Sequence, residues 1–354
     1  RPCHNGGSMS PADRTAPPAA PAPPLSDRAD APDADFAAAL RVDPGALGAP
    51  PPAPTPEEAR VAEAVLAHFA VARPGPSSFP SIATQILELV RYPDLDLAEL
   101  ARYIKVDGAL AGGVLSLANS AVYRGVRTID TVKDAVARLG VSEVARLAAA
   151  ISMRALYSAD ASAEFKRFTA EWERLFLHAA TTARAASELA RRRVVATPGA
   201  EQTFMAGLLH DVGLSIALRS YAALSVAGKI PALEAASVAK VLHRVHVQVG
   251  VEMHRVWRLP ASLADVAAHH HDAAVAPGAE QGVLHLVRLV SALDLAAREP
   301  GAHPGGAAEA LQSSRALGLS PAKLAALSAD LEAAEAWVRT AFPPPGAAPA
   351  ALPR

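Results

Sequence analysis

Along the central part of the chain, apolar residues recur every three or four positions, the spacing that lines one face of an α-helix. Val61, Val65, Leu66 and Phe69 form the first such face. Thr55-Pro56-Glu57-Glu58 precedes it, with threonine as N-cap, proline at the first helical position and Glu58 where a capping box needs a carboxylate. Pro74-Gly75-Pro76 ends it. Ile82, Ile86, Leu89 and Val90 make a second face, and Asp96 with Glu99 opens a helix through Leu97, Leu100 and Ile104. Further helices are predicted over 109–117, over 128–139 with Gly140 as the stop, and from Ser142 as cap toward Leu156. LANSAVY at 117–123 reads as a helix end and turn, with Asn119 and Ser120 bonded to the local backbone.

The same period governs the second half. Helices are predicted over 172–189, 204–218, 238–257, 263–271 (opened by Pro260), 284–297, and from Ser320-Pro321 through Trp337. A loop is expected over 191–199. Helices joined by short turns, without alternating strands, predict an all-α multi-helix bundle.

The most apolar of these runs carries the most polar pair. In FMAGLLHDVGLSIAL (204–218), Phe204, Leu208, Leu209, Val212 and Ile216 mark a buried helix, with His210 and Asp211 adjacent at its middle. Burying them costs desolvation unless a hydrogen-bond network or a cation satisfies both. Consecutive helical residues point about 100° apart, so one ion would reach both only in the notch between them. Its other ligands would come from other helices.

Composition narrows the classes of function. With 34 Lys+Arg against 35 Asp+Glu, no net charge steers the chain to nucleic acid or an anionic membrane. Arg191-Arg192-Arg193 reads as a solvated helix C-terminus. Hydrophobic residues reach 51%, inflated by alanine, while aromatics are only 5%, which favours helices packed through small side chains. Cys3 is the single cysteine, so no internal disulfide or thiolate metal site is possible, and a reducing cytoplasm is the expected location. No apolar run reaches the roughly 18 residues of a membrane span. The opening RPCHNGGSMS has no signal-peptide core, and Met9 is read as the natural start. The Pro/Ala-rich arm over 1–54, with APPAAPAPP and GAPPPAPTP, and the tail over 342–354 are expected to be disordered. The arm's alternative role is a docking peptide for a proline-binding partner.

FPSIATQILELV, DLDLAELARYIKVDGALAGGVLSLANSAVY and IDTVKDAVARLGVSEVARL together resemble the first half of the bacterial HDOD (HD-related output domain) family. Pro80, Ser81, Asp107, Leu110, Leu115, Asn119, Ser120, Leu139 and Gly140 carry the match, with Gly108 in place of the usual proline. The match spans most of 79–272. It implies one module over 55–341, with an N-terminal helical lobe over 56–157 and an HD-like helical lobe over 165–340. Metal-dependent phosphohydrolases of the HD superfamily use a His, a His-Asp pair and a distant Asp around one ion, and a two-ion version adds a His and a His-His pair. By that resemblance the candidate metal ligands are His178, His210, Asp211, His246, His270 (or its neighbour His269) and Asp294. Imidazole and carboxylate ligands suit Mn, Fe or Zn, ions that activate water for attack on phosphorus.

Two departures argue against turnover. Leu214 stands where catalytic cyclic-dinucleotide phosphodiesterases carry the lysine of H-D-x-G-K, and HHHDAAVAPGAE lacks their Gly-Tyr-Pro signature. Each histidine also has a bland reading. His178 alone would be a satisfied core residue, His243 and His254 read as surface or packing residues, and His269 to His271 suit a helix C-terminus. The resemblance therefore implies a non-catalytic signalling module that acts through other signalling proteins or a bound small ligand, without nucleic acid or membrane. The alternative is a metal-dependent phosphohydrolase acting on a nucleotide or cyclic dinucleotide.

Overall fold

The computed structural model describes residues 33–40, 53–75, 79–80, 104–105, 108–123, 125, 127–157, 166–192, 199–272, 281–298 and 305–343. Among them every regular element is helical. In chain order these are α1 (Asp33–Leu40), α2 (Pro56–Ala72), α3 (Gly108–Ala118), α4 (Val132–Leu139), α5 (Val141–Arg154), α6 (Thr169–Arg191), α7 (Ala200–Leu209), α8 (Val212–Val226), α9 (Ala235–Val256), α10 (Ala261–His269), α11 (Gly282–Arg298), α12 (Gly306–Ala316) and α13 (Pro321–Ala341). Single 3₁₀ turns lie at Ala155–Tyr157 and Lys166–Phe168. None of the described helices is long and apolar enough to cross a membrane.

The helix starts follow the capping chemistry. Thr55 Oγ1 accepts the Glu58 N–H at 3.2 Å and Glu58 Oε2 accepts the Thr55 N–H at 2.8 Å, a complete capping box. Thr131 caps α4 and Ser320 caps α13. Gly140 has φ 82°, a left-handed value that suits glycine, and it ends α4. Helix α5 begins at the next residue, so Ser142 lies in its first turn and is not its cap.

Three expectations need correction. Helix α1 lies inside the arm expected to be disordered over 1–54: Phe36 and Ala37 are buried, α1 packs on α12 and α13, and Asp33 pairs with Arg315. The arm's single phenylalanine finds an apolar face that no local pattern announces. Phe342, placed in the disordered tail, is buried with its ring centroid 4.9 Å from that of Phe176. Helix α12 was not anticipated, because its Ala-, Ser- and Gly-rich sequence lacks a strong apolar stripe. The apolar face at Ile82, Ile86, Leu89 and Val90, the capping box at Asp96 and Glu99, and Ser81 and Asp107 lie outside the described residues.

The buried apolar side chains of both expected lobes form one continuous core. Helix α2 packs on α8 and α9 of the second lobe. A buried polar hub adds a second tie. The Glu143 carboxylate on α5 accepts Trp337 Nε1 of α13 at 2.7 Å, Arg184 Nη1 of α6 at 2.6 Å, Arg146 Nη2 at 3.0 Å and the Tyr123 hydroxyl. Burial alone would raise the carboxyl's pKa, but the two guanidinium groups hold it below the usual range.

The run over 204–218 is two helices, not one. Helix α7 stops at Leu209 and α8 starts at Val212, with Asp211 at φ −108°, ψ 16° between them. Two glycines bracket this break and bring its neighbours close. A Cβ on Gly207 would stand 2.6 Å from Ala183 Cα on α6, and one on Gly213 would collide with the His246 carbonyl oxygen on α9.

Candidate metal centre

These close crossings bring together side chains from five places in the chain. His178 comes from the middle of α6, His210 and Asp211 from the α7–α8 break, and His246 from α9. His270 follows the end of α10, and Ser291 and Asp294 come from α11. All seven are buried. The helix breaks at Asp211, and His210 Nε2 and Asp211 Oδ2 come within 3.3 Å of each other there.

Asp211 is the centre. Its Oδ2 lies 3.4 Å from His178 Nε2 and 3.3 Å from His210 Nε2. Its Oδ1 lies 3.0 Å from His270 Nε2 and 3.3 Å from His246 Nε2. The two nitrogens on the Oδ1 side, His246 Nε2 and His270 Nε2, are 3.3 Å apart. Ser291 Oγ lies 3.2 Å from Nε2 of both His178 and His210.

The outward nitrogens decide the chemistry. His210 Nδ1 donates to the Gly207 carbonyl at 2.7 Å, His246 Nδ1 to the His243 carbonyl at 2.7 Å, and His270 Nδ1 to the Ala267 carbonyl at 3.0 Å. A carbonyl only accepts, so the proton of each neutral ring sits on Nδ1. His178 Nδ1 likewise donates to Asp294 Oδ2 at 2.7 Å. Four Nε2 lone pairs therefore converge on a carboxylate, electron-rich atoms facing electron-rich atoms in a buried space. Protons or a cation between them would resolve the conflict, and the outward hydrogen bonds are those that orient metal-binding imidazoles. The donor set fits a divalent ion of the Mn, Fe or Zn type. Two groups of ligand atoms are close enough to hold one: His178, His210 and Asp211, and Asp211, His246, His270 and His271.

In the metal-free protein, protons take that role in part. Burial works against a charge on His178, but its hydrogen bonds to Asp211 and Asp294 outweigh it and raise its pKa to about 9. Burial pushes His246 down to about 3, and likewise His271. His210 is also lowered by burial. For Asp211, burial opposes ionisation, yet the surrounding histidines hold its carboxyl well below the usual range.

Of the six candidate ligands, five meet at this centre. Asp294 stands on the far side of His178, where its Oδ2 also accepts Arg298 Nε at 2.7 Å. His269 points outward to Asp272, whereas His271 turns to Glu309 Oε1 at 3.0 Å. His254 is a buried packing residue bonded to the Leu209 carbonyl. Sequence reasoning missed Ser291, His271, Glu309 and Arg298. Ser291 and Arg298 sit three residues before and four after Asp294, so they share its helix face, and that spacing was the available signal.

Access is narrow. The cavity that reaches His178 has a volume of about 20 Å³ and is lined by Leu175, Leu214, Leu242 and Leu295, with Arg174 and His243. That is room for about one water molecule. Leu214, at the position of the missing lysine, is part of this apolar wall.

The description "HDOD domain" fits a family model over residues 77–273. No curated protein matches. A solved HDOD domain protein of unknown function from Geobacter sulfurreducens is 21% identical, with a TM-score of 0.55 over 80% of this chain and 99% of that one. A protein from Shewanella amazonensis SB2B, named as a candidate metal-dependent phosphohydrolase, is 18% identical with a TM-score of 0.58 over the same shares. A candidate signal transduction protein from Marinobacter aquaeolei VT8 is 17% identical, with a TM-score of 0.51 over 87% of this chain and 65% of that one. At these identities the likenesses show the helical fold. The family match covers more than half of the sequence, and the chain belongs to the HDOD domain family.

Proposed function

We propose that this chain is a non-catalytic regulatory module whose centre holds a divalent ion as a structural and signalling element. His178, His210 and Asp211 would hold it on the Oδ2 side of Asp211, or Asp211, His246 and His270 on the Oδ1 side. The observation that carries the reading is the pairing of a metal-fit donor set with a small, leucine-rich cavity of about 20 Å³ beside His178. A phosphate ester is far larger than one water, and although Arg174 lines this cavity, Leu214 replaces the lysine beside the His-Asp pair. The ion would then act on stability and shape. A ligand that binds only the folded state adds about 2.7 kcal/mol at a hundredfold excess over its Kd. Protein partners or small ligands would read the resulting state.

The competing reading is a metal-dependent phosphohydrolase, favoured by the two ligand groups that share Asp211. An ion there would supply an activated water, and Asp211 would hold its ligands in register. The test is hydrolysis of bis(p-nitrophenyl) phosphate, cyclic dinucleotides and nucleotides by protein loaded with Mn, Fe(II) or Zn. The expected result is a raised melting temperature with no hydrolysis above the metal alone. Hydrolysis that depends on the ion and disappears in Asp211→Asn would overturn the proposal.

A further inference from the structure

A larger cavity, of about 530 Å³, shares no residue with the centre. It lies between α3, the end of α5 and the end of α13, where Gly112, Gly113, Ser116, Ile151, Arg154 and Phe342 line it. Its volume is in the range of small-molecule sites. Among the described residues Arg154 is its one charged lining residue, and apart from Ser116 the described walls are otherwise apolar.

Arg154 lacks, among the described residues, the carboxylate partner that several other arginines have. Arg146 and Arg184 pair with Glu143, and Arg298 pairs with Asp294. Arg154 instead sits against a contacting pair of rings, with its guanidinium carbon 5.5 Å from the Phe176 centroid and 5.6 Å from that of Phe342. Among the described residues no carboxylate pairs with it. Aromatic faces hold a guanidinium in place while leaving its N–H fork available for a carboxylate or phosphate. Gly112 leaves room in the lining, because a Cβ there meets nothing within 4 Å.

We propose that this cavity binds an amphiphilic anion, a molecule with an apolar body and one carboxylate or phosphate group that pairs with Arg154. The apolar walls take the body, and the fork fixes the head. The proposal is independent of metal at the His/Asp centre.

Isothermal titration of the full chain with decanoate and with decyl phosphate, each below its micelle-forming concentration, tests this. Inorganic phosphate is the control without an apolar body. We expect at least one amphiphile to bind at one site, and the tighter of the two identifies the head group. Arg154→Gln should weaken it at least tenfold. Gly112→Leu, which fills open space and keeps the arginine, should weaken it at least as much without lowering the melting temperature. It carries the test alone if Arg154→Gln fails to fold. The Asp211→Asn variant should bind as the natural chain does, so failure of the metal reading leaves this result standing. Absence of binding by both amphiphiles overturns the proposal. So does equal affinity for inorganic phosphate, or unchanged affinity in either folded cavity variant.

Discussion

Asp294 braces His178 from behind: its Oδ2 lies 2.7 Å from His178 Nδ1, on the side of the ring away from Asp211. Arg298 holds the same oxygen and reaches on to Thr181 Oγ1 on α6 and Glu335 Oε1 on α13. The carboxylate at the family's distant-Asp position is thus tied into the helix packing, with its charge shared between an imidazole and a guanidinium.

That arrangement separates two carboxylates by role. If Asp294 orients a ligand and Asp211 is one, Asp294→Asn should retain the ion with affinity reduced about 10- to 100-fold. Asp211→Asn should lose it. Competition with a chromophoric chelator measures both. Equal loss in the two variants would place Asp294 on the ion.

The metal-free protein should be most stable near neutral pH. His246 and His271 have folded pKa values near 3, below the ordinary 6.5. Their contribution is present above 6.5 and is lost as pH falls from there toward 3. His178, raised to about 9, contributes fully below 6.5 and loses its contribution as pH rises through 9. Urea midpoints across this range should fall on both sides. Metal loading should flatten the alkaline side, because a neutral His178 would then be held by the ion. A flat profile from 6.5 to 9 in metal-free protein would contradict this account.

Gly213→Ala should be the most damaging small substitution near the centre. Its methyl meets the His246 carbonyl, a backbone atom that cannot swing away, so α8 and α9 must part. Overpacking of this kind costs about 1–3 kcal/mol or more. Ion binding should fall as well, since His246 moves with α9. Gly112→Ala is the contrast: it meets nothing and should stabilise α3 by about 0.5–1 kcal/mol. Chemical denaturation of both reports the difference.

Glu143→Ala should cost about 3 kcal/mol or more, because it strands Arg184 and Arg146 in a buried setting. Arg146 keeps Glu201 at 3.3 Å as a partial substitute. Loss of the Trp337 hydrogen bond should change that residue's fluorescence before global unfolding. A stability change within about 0.5 kcal/mol, the range of ordinary surface substitutions, would show the hub to be idle.

Much of this was legible in the sequence because helices announce themselves by period and cap. Thr55, Gly140 and Ser320 each mark a real boundary, and the apolar stripes give the buried faces of α2, α6, α9 and α11. The convergence of His178, His210, Asp211, His246 and His270 followed from a family pattern and not from spacing. What could not be read was local geometry that depends on neighbours. The break at Asp211 has no proline or exposed polar run to signal it. Gly207 and Gly213 reveal their purpose only once the opposing helices are in place. Asp294 was a candidate ligand by the family pattern alone, and its hydrogen bonds to His178 and Arg298 show only once α6 and α11 are packed together. Phe36 lay in a Pro/Ala-rich stretch whose composition concealed a packed helix.

The most direct test is metal content per chain, by elemental analysis of protein purified without chelators or metal-affinity steps, beside the His210→Ala, Asp211→Ala double variant. This account predicts at least one Mn, Fe or Zn ion per natural chain and none in the folded variant. A natural chain without metal that takes none up from solution would contradict it, leaving the converging histidines as a hydrogen-bond network around Asp211.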